Sequence, residues 1–188
     1  GFFPTPQAIA QTDDGFVMGW GDPTGDALVM PLDASGAMAG APAGLSTLDD
    51  SDGTIDLAVS FGGGAAVYGA RIEGGRTEVH AHLIDGAGAP FDVERPLTVG
   101  PDSGSDASIA EFAGGYAVSY RQTGASPVLR VLFLDSNLNE VARADLLPIS
   151  LLGGRTTIRA SGDGSLLVGW ADVVGSSTQL RAARIRCN

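Results

Sequence analysis

"GFVMGW" at residues 15–20 returns in altered spelling as "AAVYGA" at 65–70, "GYAVSY" at 115–120 and "SLLVGW" at 165–170. The copies stand fifty residues apart, and self-similarity at such a period marks a repeat architecture. Lining them up puts Trp20, Ala70, Tyr120 and Trp170 in one column, with Gly19, Gly69, Ser119 and Gly169 in the column before it. Val17, Val67, Ala117 and Leu167 fill a third. Successive side chains of a strand point to opposite faces, so Phe16, Met18 and Trp20 share one face and Val17 and Gly19 the other. Apolar on both, this strand is expected to be buried on both sides. The small residue in the Gly19 column predicts the close approach of another backbone or sheet.

The rest of each copy falls into step around that phrase. Upstream lies a shorter strand ending in a Gly/Asp turn: "AIAQTDDG" at 8–15, "LAVSFGGG" at 57–64, "SIAEFAGG" at 108–115 and "TIRASGDG" at 157–164. Two strands joined in this way form a hairpin. Downstream, "ALVMPLDASG" at 27–36, "VHAHLIDGAG" at 79–88 and "LRVLFLDSNL" at 129–138 close on an apolar–Asp pair and a second turn, whereas "LRAARIRCN" at 180–188 lacks the Asp. A fourth element, "AMAGAPAGL" at 37–45, "APFDVERPLTV" at 89–99 and "NEVARADLLPI" at 139–149, is present in three copies. The nearest approach to a helix, "NLNEVARADLL" at 137–147, precedes Pro148 and aligns with strands elsewhere, so it reads as an irregular strand.

The expected fold is therefore all-β and β-propeller-like, with four blades of three to four antiparallel strands. One domain covers residues 1–188, in repeats of approximately 5–48, 54–100, 105–150 and 155–188. The apolar opening "GFFPTP" is a candidate to complete the last blade and close the ring in a monomer, with a homodimer forming a larger propeller as the other way to cover that edge.

"DGFVMGW…ALVMPLDASG" at 14–36 and "GSLLVGW…LRAARI" at 164–185 resemble the roughly fifty-residue propeller-type repeats of secreted bacterial proteins, those of myxobacteria and of large adhesins among them. The resemblance covers the whole chain. It implies the fold and an extracellular, periplasmic or cell-surface location, and its motif of strand and turn residues transfers no catalytic residue. Ala70 departs from it where an aromatic is usual, which leaves Tyr68 or Phe61 to fill the space.

All 11 basic residues are Arg, and the net charge is −11. Residues 1–70 carry nine Asp and no basic residue. Such a surface repels phosphate backbones and anionic lipid heads, so neither nucleic acid nor a membrane is an expected partner. The lone Cys187 cannot form an internal bridge.

Candidate chemistry is sparse. Glu78, His80 and His82 alternate on one strand and so share a face, an arrangement that can hold zinc or a similar metal. Acidic turns offer oxygen ligands for calcium: Asp49, Asp50 and Asp52 in "LDDSDG", Asp22 with Asp26, and Asp102 with Asp106. No Gly-x-Ser-x-Gly elbow or phosphate-cradling loop occurs. The expectation is a non-enzymatic, secreted binding or scaffold module presenting rim loops to a protein or glycan. The alternative is a carboxylate-based polysaccharide hydrolase, which requires two carboxylates facing one cleft at about 5–10 Å.

Overall fold

A computed structural model describes residues 7–21, 25–46, 51–60, 62–72, 74–98, 103–124, 127–148 and 155–186, with the side chains of 51–53 and 147–148 outside the description. The strands are β1 (Ala8–Gln11), β2 (Gly15–Gly21), β3 (Ala27–Asp33), β4 (Ala43–Gly44), β5 (Ser51–Ser60), β6 (Gly63–Arg71), β7 (Thr77–Asp85), β8 (Pro90–Pro96), β9 (Ser103–Phe112), β10 (Gly115–Thr123), β11 (Val128–Leu134), β12 (Glu140–Pro148), β13 (Thr156–Ala160), β14 (Ser165–Val174) and β15 (Ser177–Arg186). They form four antiparallel meanders, β1-β2-β3-β4, β5-β6-β7-β8, β9-β10-β11-β12 and β13-β14-β15. The fold is all-β and propeller-like, and the sheets are its blades. The segment weighed as a helix is the outer strand β12, irregular where its register slips between Leu129 and Arg130 and between Phe133 and Leu134 of β11.

Three apolar cores join successive blades. Val17 and Val29 of the first pack with Ile55, Leu57, Ala66 and Tyr68 of the second. Val67, Val79 and Ala81 of the second meet Ile109, Val118 and Tyr120 of the third. Ala117, Leu129 and Val131 of the third meet Ile158, Val168 and Trp170 of the fourth. The repeat phrase thus forms the middle of each blade, with one face of β6 and β10 supplying one core and the opposite face the next. Trp20, Tyr120 and Trp170 are 4%, 2% and 6% exposed, so the aromatic column is packing and not a platform. Tyr68, fully buried, fills the space beside Ala70, and Phe61 lies outside the described residues. A Cβ on Gly19 would come within 2.9 Å of Ile55 Cδ1, which is the close approach the small-residue column predicts.

The repeated turn Asp has a local task. Asp33 Oδ1 accepts from the backbone N–H of Ser35 and Ala37. Asp85 Oδ1 accepts from Ala87 and Ala89, and Asp135 Oδ1 from Asn137 and Asn139. These are side-chain turns that spare the backbone an unpaired donor. The hydrogen bonds hold Asp33 and Asp135 below their ordinary value, the Ser35 hydroxyl and the Asn139 side chain contributing most.

The first blade's outer element is weaker than expected: beyond the two-residue β4 it makes an isolated bridge between Leu32 and Met38. Gly40 and Pro42 account for this, since glycine weakens a strand and proline donates nothing to a ladder. At the other end of the chain, β15 carries exposed Leu180, and Arg155 of the fourth blade reaches Gln7 of the first with a 2.9 Å hydrogen bond. The "GFFPTP" segment proposed to close the ring lies outside the described residues.

Candidate active site at the blade axis

The inner strands β1, β5, β9 and β13 stand side by side, and a cleft of about 360 Å³ opens where they meet, within the roughly 300–1,000 Å³ typical of small-molecule sites. Its wall includes Asp56 of β5, Asp106 of β9, Arg155, Thr157 and Arg159 at β13, and Gln7 before β1. Two carboxylates from adjacent blades therefore share one cavity with two guanidinium groups. Further along the axis a second space is bordered by Ile9, Ala58, Ile109, Glu111 and again Arg159.

A bulge accompanies each carboxylate. On β9 the register slips between Ser105 and Ser108, so that Asp106 and Ala107 oppose Tyr120 alone. Asp106 takes the left-handed φ of 55°, a conformation Asp tolerates better than most residues. On β5 the register slips between Ser51 and Ile55, one residue before Asp56. Bulges interrupt regular alternation and re-aim side chains, which lets these inner strands present acids to the axis.

The two carboxylates are held differently. Asp56 Oδ2 accepts from Ser108 Oγ at 2.5 Å and from the Ile109 N–H at 3.1 Å, and Oδ1 accepts from the Leu57 N–H at 3.0 Å. Arg159 Nη1 lies 3.6 Å from Oδ2. Ser108 Oγ itself accepts from the Ile158 N–H, so a single relay runs from the fourth blade through the third to the second. Asp106 is less encumbered: Ser105 Oγ is 3.3 Å away, and the buried Arg121 Nε is 3.9 Å away. Its backbone carbonyl accepts from Thr156 Oγ1 at 2.7 Å, which pins the bulge to the next blade.

The residues first suggested by the sequence lie elsewhere. Glu78, His80 and His82 are buried on β7, outside the axial cleft. His80 Nδ1 meets Glu94 Oε1 at 2.8 Å and Nε2 meets Glu78 Oε2 at 3.3 Å, so both ring nitrogens face carboxylates. His82 instead meets its neighbour's carbonyl, Leu83 O, at 3.1 Å. Glu94 also lies 2.7 Å from the Tyr68 hydroxyl; burial first, then this hydrogen bond and charge, push that phenol well above its ordinary 10.0. Among the described residues no group of three or more His, Cys, Asp or Glu side chains converges as a metal site would.

Of the acidic turns, Asp22, Asp49, Asp50 and Asp102 lie outside the described residues, and Asp52 falls within β5. Asp106, read as a turn residue, belongs to strand β9. The sequence patterning does not mark Asp56, because it begins the inner strand of the second copy at Leu57. The signal was a polar column at the repeat period: Gln7, Asp56, Asp106 and Thr156 stand 49, 50 and 50 residues apart.

No protein-family model and no curated protein matches the chain. Among solved structures it is similar to a GH43 endo-arabinanase from Bacillus licheniformis, at 12% identity over 95% of this chain and 70% of that one, with a TM-score of 0.59. It is likewise similar to a thermostable family-43 glycoside hydrolase, at 12% identity over 96% and 70%, with a TM-score of 0.64. At that identity the likeness is one of fold. These neighbours nevertheless correct the expectation of a non-enzymatic binding or scaffold module. Both are glycoside hydrolases by name. The sequence patterning places Asp106 in an acidic turn and does not mark Asp56, whereas both sit on inner strands that line the axial cleft.

Proposed function

We propose that the chain is a carboxylate-based polysaccharide hydrolase that works at the axial cleft, with Asp56 and Asp106 as its reacting pair. The observation that carries this reading is that Asp56 and Asp106, from adjacent inner strands, line one cavity of sugar-accommodating size. Glycoside hydrolysis needs one carboxyl group to protonate the departing oxygen and a second, ionised one to face the positive charge that develops on the sugar ring. Asp106, which accepts fewer hydrogen bonds than Asp56, is assigned the proton-donor role in this scheme. Asp56 is fixed by three donors and takes the charge-facing role. Thr157 on the same wall offers a hydroxyl for a sugar hydroxyl. The similar enzymes add support, one of them being an endo-arabinanase by name.

The test is release of reducing ends from a panel of polysaccharides, arabinan included, by purified protein. Release from at least one member is the expected result. A panel in which no glycan is cleaved, with the protein folded by circular dichroism, overturns the proposal.

A further inference from the structure

The cleft has a charge balance at odds with the rest of the molecule. The chain carries a net −11, yet the cleft lining sets two guanidinium groups, Arg155 and Arg159, against two carboxylates; Asp56 faces Arg159 at 3.6 Å, and Asp106 has the buried Arg121, outside the lining, at 3.9 Å. Arg155 is the lining guanidinium that faces neither of them. Its Nη2 donates to the neutral amide oxygen of Gln7 at 2.9 Å, and among the described residues it forms no ion pair with a carboxylate. Both side chains line the cleft, and Arg155 is exposed to it. A guanidinium presents five donors in a planar fork that matches a carboxylate, so one spent on a single neutral amide retains most of its capacity.

We infer that the cleft recognises an acidic glycan, one bearing a uronate carboxylate, and that Arg155 is the residue that binds it. This rests on the hydrolase reading for its sugar and adds the substrate's charge. A neutral glycan gains nothing from a cation at this position. A uronate replaces the Gln7 contact with a charge-assisted, bidentate one, which is stronger and directional. The same feature answers the repulsion that an acidic protein exerts on an acidic polymer: the polymer meets a local cation at the axis. Arg155 is proposed as a specificity-determining residue; the bond-breaking roles stay with Asp56 and Asp106.

The experiment is calorimetric titration of oligogalacturonate and of a neutral arabino-oligosaccharide of the same length, at about 20 and about 200 mM NaCl, conditions that change the screening length severalfold. The wild-type protein is expected to bind the acidic oligomer about tenfold or more tightly at low salt, and to lose most of that advantage at high salt. Arg155→Gln brings the acidic-to-neutral ratio to about one, and Arg155→Lys, which keeps the charge but loses the fork, restores part of it. Equal binding of the two oligomers by the wild type, no binding of the acidic one, or a preference that survives Arg155→Gln overturns the inference. Because binding is read without turnover, acidic binding in a protein that cleaves no glycan leaves this site standing while removing the hydrolase reading.

Discussion

Ser108 Oγ donates to Asp56 Oδ2 at 2.5 Å across the boundary between the second and third blades, and the same oxygen accepts from the Ile158 N–H of the fourth. One hydroxyl thus ties three blades together and fixes a carboxylate of the cleft. Hydrogen bonds to charged groups contribute about 1.5–3 kcal/mol, and Ser108→Ala also leaves a buried N–H without its acceptor. The expected loss is about 1.5–3 kcal/mol in urea unfolding with an unchanged m-value. A loss below about 0.5 kcal/mol, the range of an ordinary surface change, contradicts the tie.

Trp170 packs the core between the third and fourth blades, whereas Leu180 on the same sheet is 89% exposed. Trp170→Ala is expected to cost about 3–5 kcal/mol as a large core truncation. Leu180→Ala is expected to stay within about 0.5 kcal/mol. Denaturant midpoints for the two variants check the contrast, and comparable costs would deny the blade-packing role.

All three tyrosines titrate above their ordinary 10.0: Tyr68 through burial and Glu94, Tyr116 through burial and Glu111, and Tyr120 through burial that Arg130 partly offsets. The folded state therefore holds protons that the unfolded state releases above about pH 10, so stability is complete below that pH and falls as pH rises past it. Phenolate absorbance should stay low in the native protein and appear together with unfolding. Tyr68→Phe should flatten the alkaline fall. Phenolate signals rising near pH 10 in folded protein would count against these burials.

At the acid end the sign reverses. Asp33, Asp135, Asp145 and Asp163 lie below their ordinary 3.8, through Ser35, Asn139, Arg130 and Ser165 respectively as the largest causes. Their contribution is present in full above about pH 4 and is lost as pH falls through the folded values. Asp135→Asn keeps an acceptor for the turn but removes the proton linkage, so melting temperature against pH should slope less steeply below pH 4. An unchanged slope would mean that the turn contributes no linkage.

The fold was legible because its signals are periodic. Trp20, Tyr120 and Trp170 recur at one spacing, the turn residues Asp33, Asp85 and Asp135 at nearly the same spacing, and each is set by local strand or turn geometry that a single chain repeats. The cleft was less legible. Asp56 and Asp106 stand fifty residues apart, at the repeat period, but each follows or sits in a bulge that breaks alternation. Reading by alternation discards such residues as departures. What brings them together is the packing of β5 against β9 around the axis, fifty residues apart in sequence, which no local pattern encodes.

The most direct test compares Asp56→Asn and Asp106→Asn with the wild type on a polysaccharide that the wild type cleaves, with each variant's melting temperature measured alongside. Removing a positioned acid–base group costs roughly 10²–10⁴-fold, so hydrolysis at the axial cleft predicts a fall in kcat of at least about 100-fold for each variant in folded protein. Folded variants that cleave at the wild-type rate would contradict it.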